Sequence, residues 1–150
     1  ENDMLTVRVA TVLDEDEIFF LLLEMAKENS DHKVSVSKSI AAIREIIKIG
    51  GAAVVEDGKR IVGSVGVSPQ SPWFSNEKFL GDSWFYVEPR KRGSRAAVML
   101  KKAVQVFADR VGMDLVLAVF STVAAERKSA FFARDMAFLG GAYRYKSKGI

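Results

Sequence analysis

The sequence has no cysteine and a single histidine, His32, among its 150 residues. Without cysteine the chain can form no disulfide, no thiolate nucleophile and no cysteine-based metal site. One histidine gives little support to a histidine zinc site or to a Ser-His-Asp triad. We therefore predict a function that needs no metal.

A targeting or membrane segment is missing as well. Acidic residues 14–17 precede the first long apolar stretch, which is unlike a signal peptide, and no apolar run is long enough to span a bilayer. We expect a cytoplasmic protein with no membrane partner. The 22 basic and 19 acidic residues leave a net charge of +3, which does not by itself indicate a nucleic-acid partner.

The composition that remains is typical of one folded domain. Apolar residues make up 49% of the chain and charged residues 27%, which argues for an ordered globule. A chain of this length suits one domain, so we assign residues 1–150 to a single unit.

Hydrophobic periodicity predicts the element order β-α-α-β-β-β-α-β-α-β. Asp57-Gly58 lies between two apolar runs and predicts a tight hairpin. The strands are expected at residues 5–9, 52–56, 60–67, 82–87 and 115–120 and around 143–145. The helices are expected at about residues 11–28, 37–49, 94–110 and 125–137.

The most informative segment is a basic turn, residues 90–97, which joins the strand ending at Val87 to the next helix. The first N–H groups of a helix lack partners and carry partial positive charge, so an anion such as phosphate is favoured there. Small residues leave this backbone open, and four basic side chains add charge. A solvated surface turn is the alternative, because charge runs commonly mark exposed faces.

Val87-Glu88-Pro89, followed by Arg92-Gly93-Ser94-Arg95-Ala96-Ala97, resembles the pyrophosphate turn of the GNAT superfamily of acetyl-CoA-dependent N-acetyltransferases. The family favours Arg/Gln-x-x-Gly-x-Gly/Ala, and Arg92 and Ala97 match its outer positions, whereas Arg95 stands at the central glycine. The hairpin at 55–64 and the helical pattern at 130–138 are also similar to the family, and the resemblance covers nearly the whole chain.

The resemblance implies an α/β (α+β) GNAT-like domain, with a mixed central sheet of about six to seven strands flanked by four helices. It implies acetyl-CoA as co-substrate, an amine acceptor that is a small molecule or a protein, and an arrangement in which a homodimer is possible. Residues 84–89 and the terminal Tyr145 look most like small acetyltransferases encoded by tailed bacteriophages. The implied cofactor-binding residues are Phe85, Tyr86, Val87, Arg92, Gly93, Ser94, Arg95, Ala96, Ala97 and Phe132.

Acetyl transfer needs a neutral amine, and deprotonating an alkylamine with a pKa of about 10.4 at neutral pH costs roughly 4–5 kcal/mol. The family often places a carboxylate near the start of the fourth strand, where Asp82 matches, and Glu88 is the next candidate base. A strand-end structural role is the alternative for Asp82. The family often protonates the leaving thiol with a tyrosine at the position of Phe132. Here a water or another tyrosine (Tyr86, Tyr143 or Tyr145) acts, or the chain transfers acetyl slowly, or it only binds the cofactor; Tyr145 is our candidate.

Two other functions stay open at this stage. The basic cluster at 90–95, with Lys101 and Lys102, could belong to a non-catalytic module that binds nucleic acid or an acidic protein. The cluster lacks the interleaved aromatic residues of a single-strand platform, so nucleic acid is disfavoured. The chain could also be a degenerate acetyltransferase fold that serves as a scaffold, for which Phe132 and Arg95 are the supporting features.

Overall fold

The computed structural model describes residues 4–119 and 125–149, and these residues form five strands and four α-helices. The strands are β1 (Leu5–Val9), β2 (Ala52–Asp57), β3 (Arg60–Gln70), β4 (Phe79–Val87) and β5 (Leu115–Val116). The helices are α1 (Glu15–Asn29), α2 (Val36–Lys48), α3 (Ala96–Val111) and α4 (Ala125–Phe132). Short 3-10 turns at Val12–Asp14 and Pro89–Lys91 precede α1 and α3.

The strands form one mixed sheet in the order β1-β2-β3-β4-β5. The first three pairings are antiparallel, and the last, between β4 and β5, is parallel. Only Leu80 with Leu115 and Gly81 with Val116 pair across β4 and β5. In the described part of the chain, the second half of β4 therefore has no strand beside it on that edge.

Helices cover both faces of the sheet. Helices α1 and α2 bury Ile18, Ile43 and Ile46 against one face, where Trp84 and Tyr86 of β4 also pack. Helix α3 buries Leu100 and other apolar residues against the opposite face, together with Phe85 and Val87. The alternation along β4 follows from the two-residue period of a strand, and it makes β4 the strand that joins the two cores.

Local chemistry sets several element boundaries. Ser35 caps α2 by accepting a hydrogen bond from the Lys38 amide at 3.3 Å, and Gly112 ends α3 in the left-handed region with φ +70°. Gly58 turns the β2–β3 hairpin with φ +67°, as its Asp-Gly sequence predicted.

The predicted sheet of six to seven strands is wrong, because the described residues form five strands. The expected strand at 115–120 is reduced to Leu115–Val116, and its last position, Phe120, lies outside the described residues. No strand forms around 143–145, where both tyrosines are exposed to solvent. A run of three residues that buries no apolar side chain gains too little to add an edge strand.

The last helix also ends earlier than expected, at Phe132 instead of about residue 137. The chain turns at residues 133–135, and Asp135 is held there by Lys101 at 2.9 Å and Gln105 at 3.1 Å from α3. These side-chain contacts stabilise a turn where helical periodicity alone predicts continuation. None of the helices that the described residues form is long and apolar enough to cross a membrane.

Candidate active site

Beside the second half of β4 lies a cavity of about 460 Å³, which we call the wedge cavity. Its floor is the strand segment Phe85, Tyr86 and Val87, and the basic turn, the end of α1 and helix α4 form its walls. The remaining lining residues are Glu28, Asn29, Lys91, Arg92, Gly93, Ser94, Ala97, Val98, Arg127, Lys128, Phe131 and Arg134.

The lining of the wedge cavity is strongly cationic. Five basic side chains reach it, and one carboxylate, that of Glu28, is among the lining residues. The basic residues are Lys91, Arg92, Arg127, Lys128 and Arg134. Such an excess of positive charge in a concave site favours a polyanionic ligand, and guanidinium groups suit phosphate in particular.

The backbone of the basic turn explains its unusual sequence. Gly93 adopts φ +87°, a left-handed conformation that glycine tolerates best. Arg95, at the position where a glycine is usual, is helical with φ −79° and ψ 0° and precedes the first residue of α3. Helical backbone accepts any L side chain, so the conformational need for glycine lies at position 93 and not at 95.

Ion pairs already engage much of the turn's charge. Arg90 contacts Glu88 at 3.5 Å, and Lys91 contacts Asp57 at 2.6 Å. Arg92 donates to Glu28 at 2.7 Å and to the Val87 carbonyl at 3.1 Å. A phosphate at this turn would have to displace Glu28 from Arg92, and the first amide of α3, that of Ala96, already donates to the Ser94 hydroxyl at 3.2 Å.

A second cavity, of about 790 Å³, lies on the other side of α3 against β1 and β2, and we call it the α3 groove. Its walls are mostly apolar, and its basic residues are Arg8, Arg95, Lys102 and Arg110. Arg95 therefore lines a different cavity from Arg92. Of the turn residues predicted to bind the cofactor, Arg95 and Ala96 do not line the wedge cavity.

Asp82 lies where the pairing of β4 with β5 ends. Its carboxylate accepts a hydrogen bond from the Ala118 amide at 3.2 Å, in place of a further strand-to-strand bond. Burial raises the pKa of Asp82, while the Ala118 amide and the charge of Lys128 oppose that rise. A carboxylate with a raised pKa accepts a proton more readily near neutral pH, which suits a general base.

None of the three predicted catalytic residues, Asp82, Glu88 and Tyr145, is among the lining residues of the wedge cavity. Glu88 is buried in a bidentate ion pair with Arg60, at 2.6 and 2.9 Å. Tyr145 is 79% exposed in the C-terminal segment. Phe132, predicted to contact the cofactor, is the last residue of α4. It is buried, and its ring centre lies 5.4 Å from that of Phe85.

The sequence analysis did not identify the basic residues of α4. Lys128 is partly buried, and its Nζ donates to the Phe85 carbonyl at 3.1 Å on the unpaired edge of β4. Burial lowers the pKa of Lys128, and the charge of Asp82 opposes that shift. Arg127 belongs to α4 and Arg134 to the turn that follows it, and both line the wedge cavity. Among the described residues, no cluster of three or more His, Asp or Glu side chains could hold a metal ion.

No protein-family model and no curated protein sequence matches the chain. Among solved structures, it is similar to a possible acetyltransferase from Clostridium difficile 630, with 16% identity, a TM-score of 0.71 and 99% of both chains covered. A ribosomal-protein-alanine N-acetyltransferase from Brucella melitensis biovar Abortus 2308 gives 16% identity and a TM-score of 0.69, over 97% of this chain and 99% of that one. The fold is a GNAT-like acetyltransferase fold.

An aminoglycoside N-acetyltransferase in complex with CoA has the same GNAT-like fold, with 13% identity and a TM-score of 0.72 over 97% of this chain and 95% of that one. At such low identities the likeness establishes the architecture alone. The chemistry of this GNAT-like chain has to be argued from its own residues.

Proposed function

We propose that the chain is an acetyl-CoA-dependent N-acetyltransferase that moves an acetyl group to a primary amine by direct attack on the thioester. The observation that carries this proposal is the wedge cavity, where a strand edge with no neighbouring strand meets an anion-suited turn, two basic residues of α4 and Arg134 just after it. The two halves of that lining match the two chemically different halves of coenzyme A.

The pyrophosphate of the cofactor is assigned to the turn. Gly93 and the small residue Ala97 line the wedge cavity at the start of α3, where helix N-terminal amides favour an anion. Ala96 is buried, and its amide donates to the Ser94 hydroxyl at 3.2 Å. Arg92 supplies a charge-assisted contact once it leaves Glu28, and Arg127 and Arg134 add charge from the opposite wall. Ser94 has a structural part, because its hydroxyl donates to the Lys91 carbonyl at 2.6 Å.

The amide-rich pantetheine arm is assigned to residues 85–87 of β4. No strand lies beside this edge among the described residues, so an extended amide chain can be added along it as another strand would. The Phe85 and Val87 carbonyls accept from Lys128 and Arg92, and the arm would replace those donors or pair with the N–H groups of the edge. When bound, acetyl-CoA supplies an activated acetyl thioester at this edge. The chain itself has to orient the acceptor amine and accept its proton.

Asp82 is our proposed proton acceptor, directly or through a water molecule. Its place at the end of the β4–β5 pairing and its raised pKa support that role. Glu88 is a weaker candidate, because protonating it would break its ion pair with Arg60. Tyr145 stays a prediction without support from its position.

The non-catalytic binding module is less well supported than the enzyme. Arg90, Lys91 and Arg92 each contact a carboxylate of the same chain, so the basic turn does not present a continuous cationic surface to nucleic acid. The scaffold alternative rests on Phe132, which has no proton to donate. Assays of binding and of transfer separate it from the enzyme.

The acceptor is proposed as a primary amine of a small molecule or a protein. Similar structures are named for aminoglycosides and for ribosomal-protein alanine, which differ widely in size. Trp73 and Phe74 are 96% and 72% exposed in the loop before β4 and offer an aromatic surface for such an acceptor. A cytoplasmic location, a phage origin and a homodimer stay predictions.

The test has two stages. Calorimetry should detect binding of CoA and of acetyl-CoA, and a thiol reagent should then detect CoA release on addition of an aminoglycoside, a peptide with an N-terminal alanine or a polyamine. No binding of either nucleotide at millimolar concentration would contradict the proposal. Binding without amine-dependent thiol release from any acceptor would favour the scaffold.

A further inference from the structure

Lys128 is a basic group that contacts the edge of β4 beyond its pairing with β5. Helix α4 begins at Ala125, and its first turn places the Lys128 ammonium 3.1 Å from the Phe85 carbonyl and 5.6 Å from the centre of the Phe85 ring. The ammonium therefore donates where an N–H of a neighbouring strand would otherwise donate. In the proposed binding mode, the thioester end of the cofactor lies along this same edge.

We propose that Lys128 is the catalytic proton donor to the leaving sulfur and that Asp82 is the matching proton acceptor, an inference that rests on the acetyltransferase function. The position of the ammonium on the wedge wall carries the proposal. Phe132 has no proton to give, and Tyr145 is on the surface. Tyr86 packs in the core cluster on the α1 and α2 face, with Arg92 5.2 Å from its ring centre.

The proton balance closes with these two residues. The acceptor nitrogen forms a bond to the acetyl carbon while the carbon–sulfur bond breaks, and the Lys128 ammonium gives its proton to sulfur. The proton lost by the amine passes to the Asp82 carboxylate. Transfer of that proton from Asp82 to neutral Lys128 restores both groups, so no further reactant is needed.

Groups from several elements set the acidity of Lys128. Burial lowers its pKa and the positive charge of Arg92 lowers it further, whereas Asp82 on β4 and Glu28 on α1 raise it. A lysine with a lowered pKa gives up its proton more readily than an exposed one. The rate should therefore fall as the pH rises through the pKa of Lys128, because the neutral amine cannot donate.

The test compares Lys128→Met and Lys128→Arg with the unchanged chain. The methionine variant should lose about 100-fold in kcat, at the lower end of general-acid effects because a thiolate is already a fair leaving group. The fall in rate at high pH, which we attribute to deprotonation of Lys128, should be absent from the pH profile of this variant. The arginine variant keeps the charge but cannot release a proton, so it should be nearly as slow. Lys102→Met in the α3 groove is the matched control and should keep its activity.

A second readout is independent of turnover. Ultraviolet absorbance of the thiolate reports the pKa of the CoA thiol in the bound complex, and a cation beside the sulfur lowers it. Bound CoA should ionise at lower pH on the unchanged chain and on Lys128→Arg than on Lys128→Met. Equal thiol pKa values in all three proteins would overturn the proposal.

Activity and binding also separate failure of this proposal from failure of the proposed function. Full activity in Lys128→Met, or in Lys128→Arg, would overturn the proton-donor role while leaving the acetyltransferase intact. An unchanged chain that binds no CoA would overturn both. Circular dichroism of each variant checks folding, and the arginine variant keeps the test valid if methionine disturbs α4.

Discussion

Two cavities flank helix α3, and the larger one is not the better candidate site. The α3 groove has a volume of about 790 Å³ and mostly apolar walls, whereas the wedge cavity has about 460 Å³. The wedge cavity brings together an unpaired strand edge, helix N-terminal amides and five basic side chains. The kind and position of polar groups, more than volume, support the wedge cavity as the proposed cofactor site.

The same contrast appears within the basic turn. Arg92 and Arg95 are three residues apart, yet Arg92 lines the wedge cavity and Arg95 lines the α3 groove. The turn thus divides its charge between two sides of one helix. Substitutions that act on one side alone test the assignment directly.

The largest effect is expected where the β4–β5 pairing ends, from Asp82→Asn. Asparagine keeps an oxygen for the Ala118 amide but cannot accept the amine proton, so kcat should fall by about 100- to 10,000-fold. Thiol release from acetyl-CoA measures it. Asp109→Asn, at an exposed position on α3, should leave the rate unchanged.

The same Asp82 variant has a signature in stability. Because burial raises the folded-state pKa of Asp82, the carboxylate destabilises the fold at pH values above that pKa, and this cost disappears below the unfolded value. Asp82→Asn should therefore melt at a higher temperature than the unchanged chain at neutral pH, with the difference vanishing in acid. A lower melting temperature at neutral pH would contradict the desolvation argument.

The next largest effect is expected when a negative charge is introduced into one of the two cavities, because only the cavity that binds CoA should respond. Ala97 lines the wedge cavity and Ala103 lines the α3 groove, and both are partly buried on α3. Ala97→Glu should weaken CoA binding by about 100-fold or more, because like charges in contact cost several kcal/mol. Ala103→Glu should change it little. Calorimetry with CoA decides, and equal losses would refute the wedge assignment.

The two arginines provide a smaller contrast. Arg92→Ala should weaken CoA binding by roughly 10- to 100-fold, corresponding to the loss of a charge-assisted contact of about 1.5–3 kcal/mol. Arg95→Ala should leave the affinity for CoA nearly unchanged, because Arg95 lines the α3 groove. If only Arg95→Ala lost affinity for CoA, the phosphates would have to bind in the α3 groove, which would contradict the wedge assignment.

The smallest effect is expected from Glu28→Gln, and it should be a gain. Removing this carboxylate frees Arg92 from an ion pair worth about 0.2–1 kcal/mol, so CoA should bind up to about five-fold more tightly. Glu24→Gln, an exposed position on the same helix, is the control. Weaker binding after Glu28→Gln would show that Glu28 positions Arg92 instead of competing for it.

Much of the fold could be predicted because its signals are local. The alternation in β1, the Asp-Gly turn and the amphipathic helices each depend on neighbouring residues, and the basic turn lies between β4 and α3 as expected. Residues 115–119 read as a strand because they are continuously apolar, yet only the first two pair with β4. Hydrophobic periodicity does not show how many residues of an apolar segment will pair with a neighbouring strand.

The lining of the wedge cavity could be predicted only where it is contiguous in sequence. Gly93 and Arg92 were found in the turn itself, whereas Lys128 reaches the Phe85 carbonyl from 43 positions away. The direction of Arg95 depends on the rotation of α3 about its axis, and the pairing of Glu88 with Arg60 depends on the register of β3 and β4. Tertiary placement sets both, so residue type and spacing could not supply them.

Arg92 is paired with the carboxylate of Glu28, so an anion of the chain itself already occupies part of the proposed phosphate site. Binding a phosphate at Arg92 is then an exchange of one anion for another, and added salt weakens the outgoing and the incoming contact together. The affinity for CoA should fall less steeply with ionic strength than five cations would suggest. The salt dependence of CoA affinity that remains should report the basic side chains on the opposite wall, Arg127, Lys128 and Arg134.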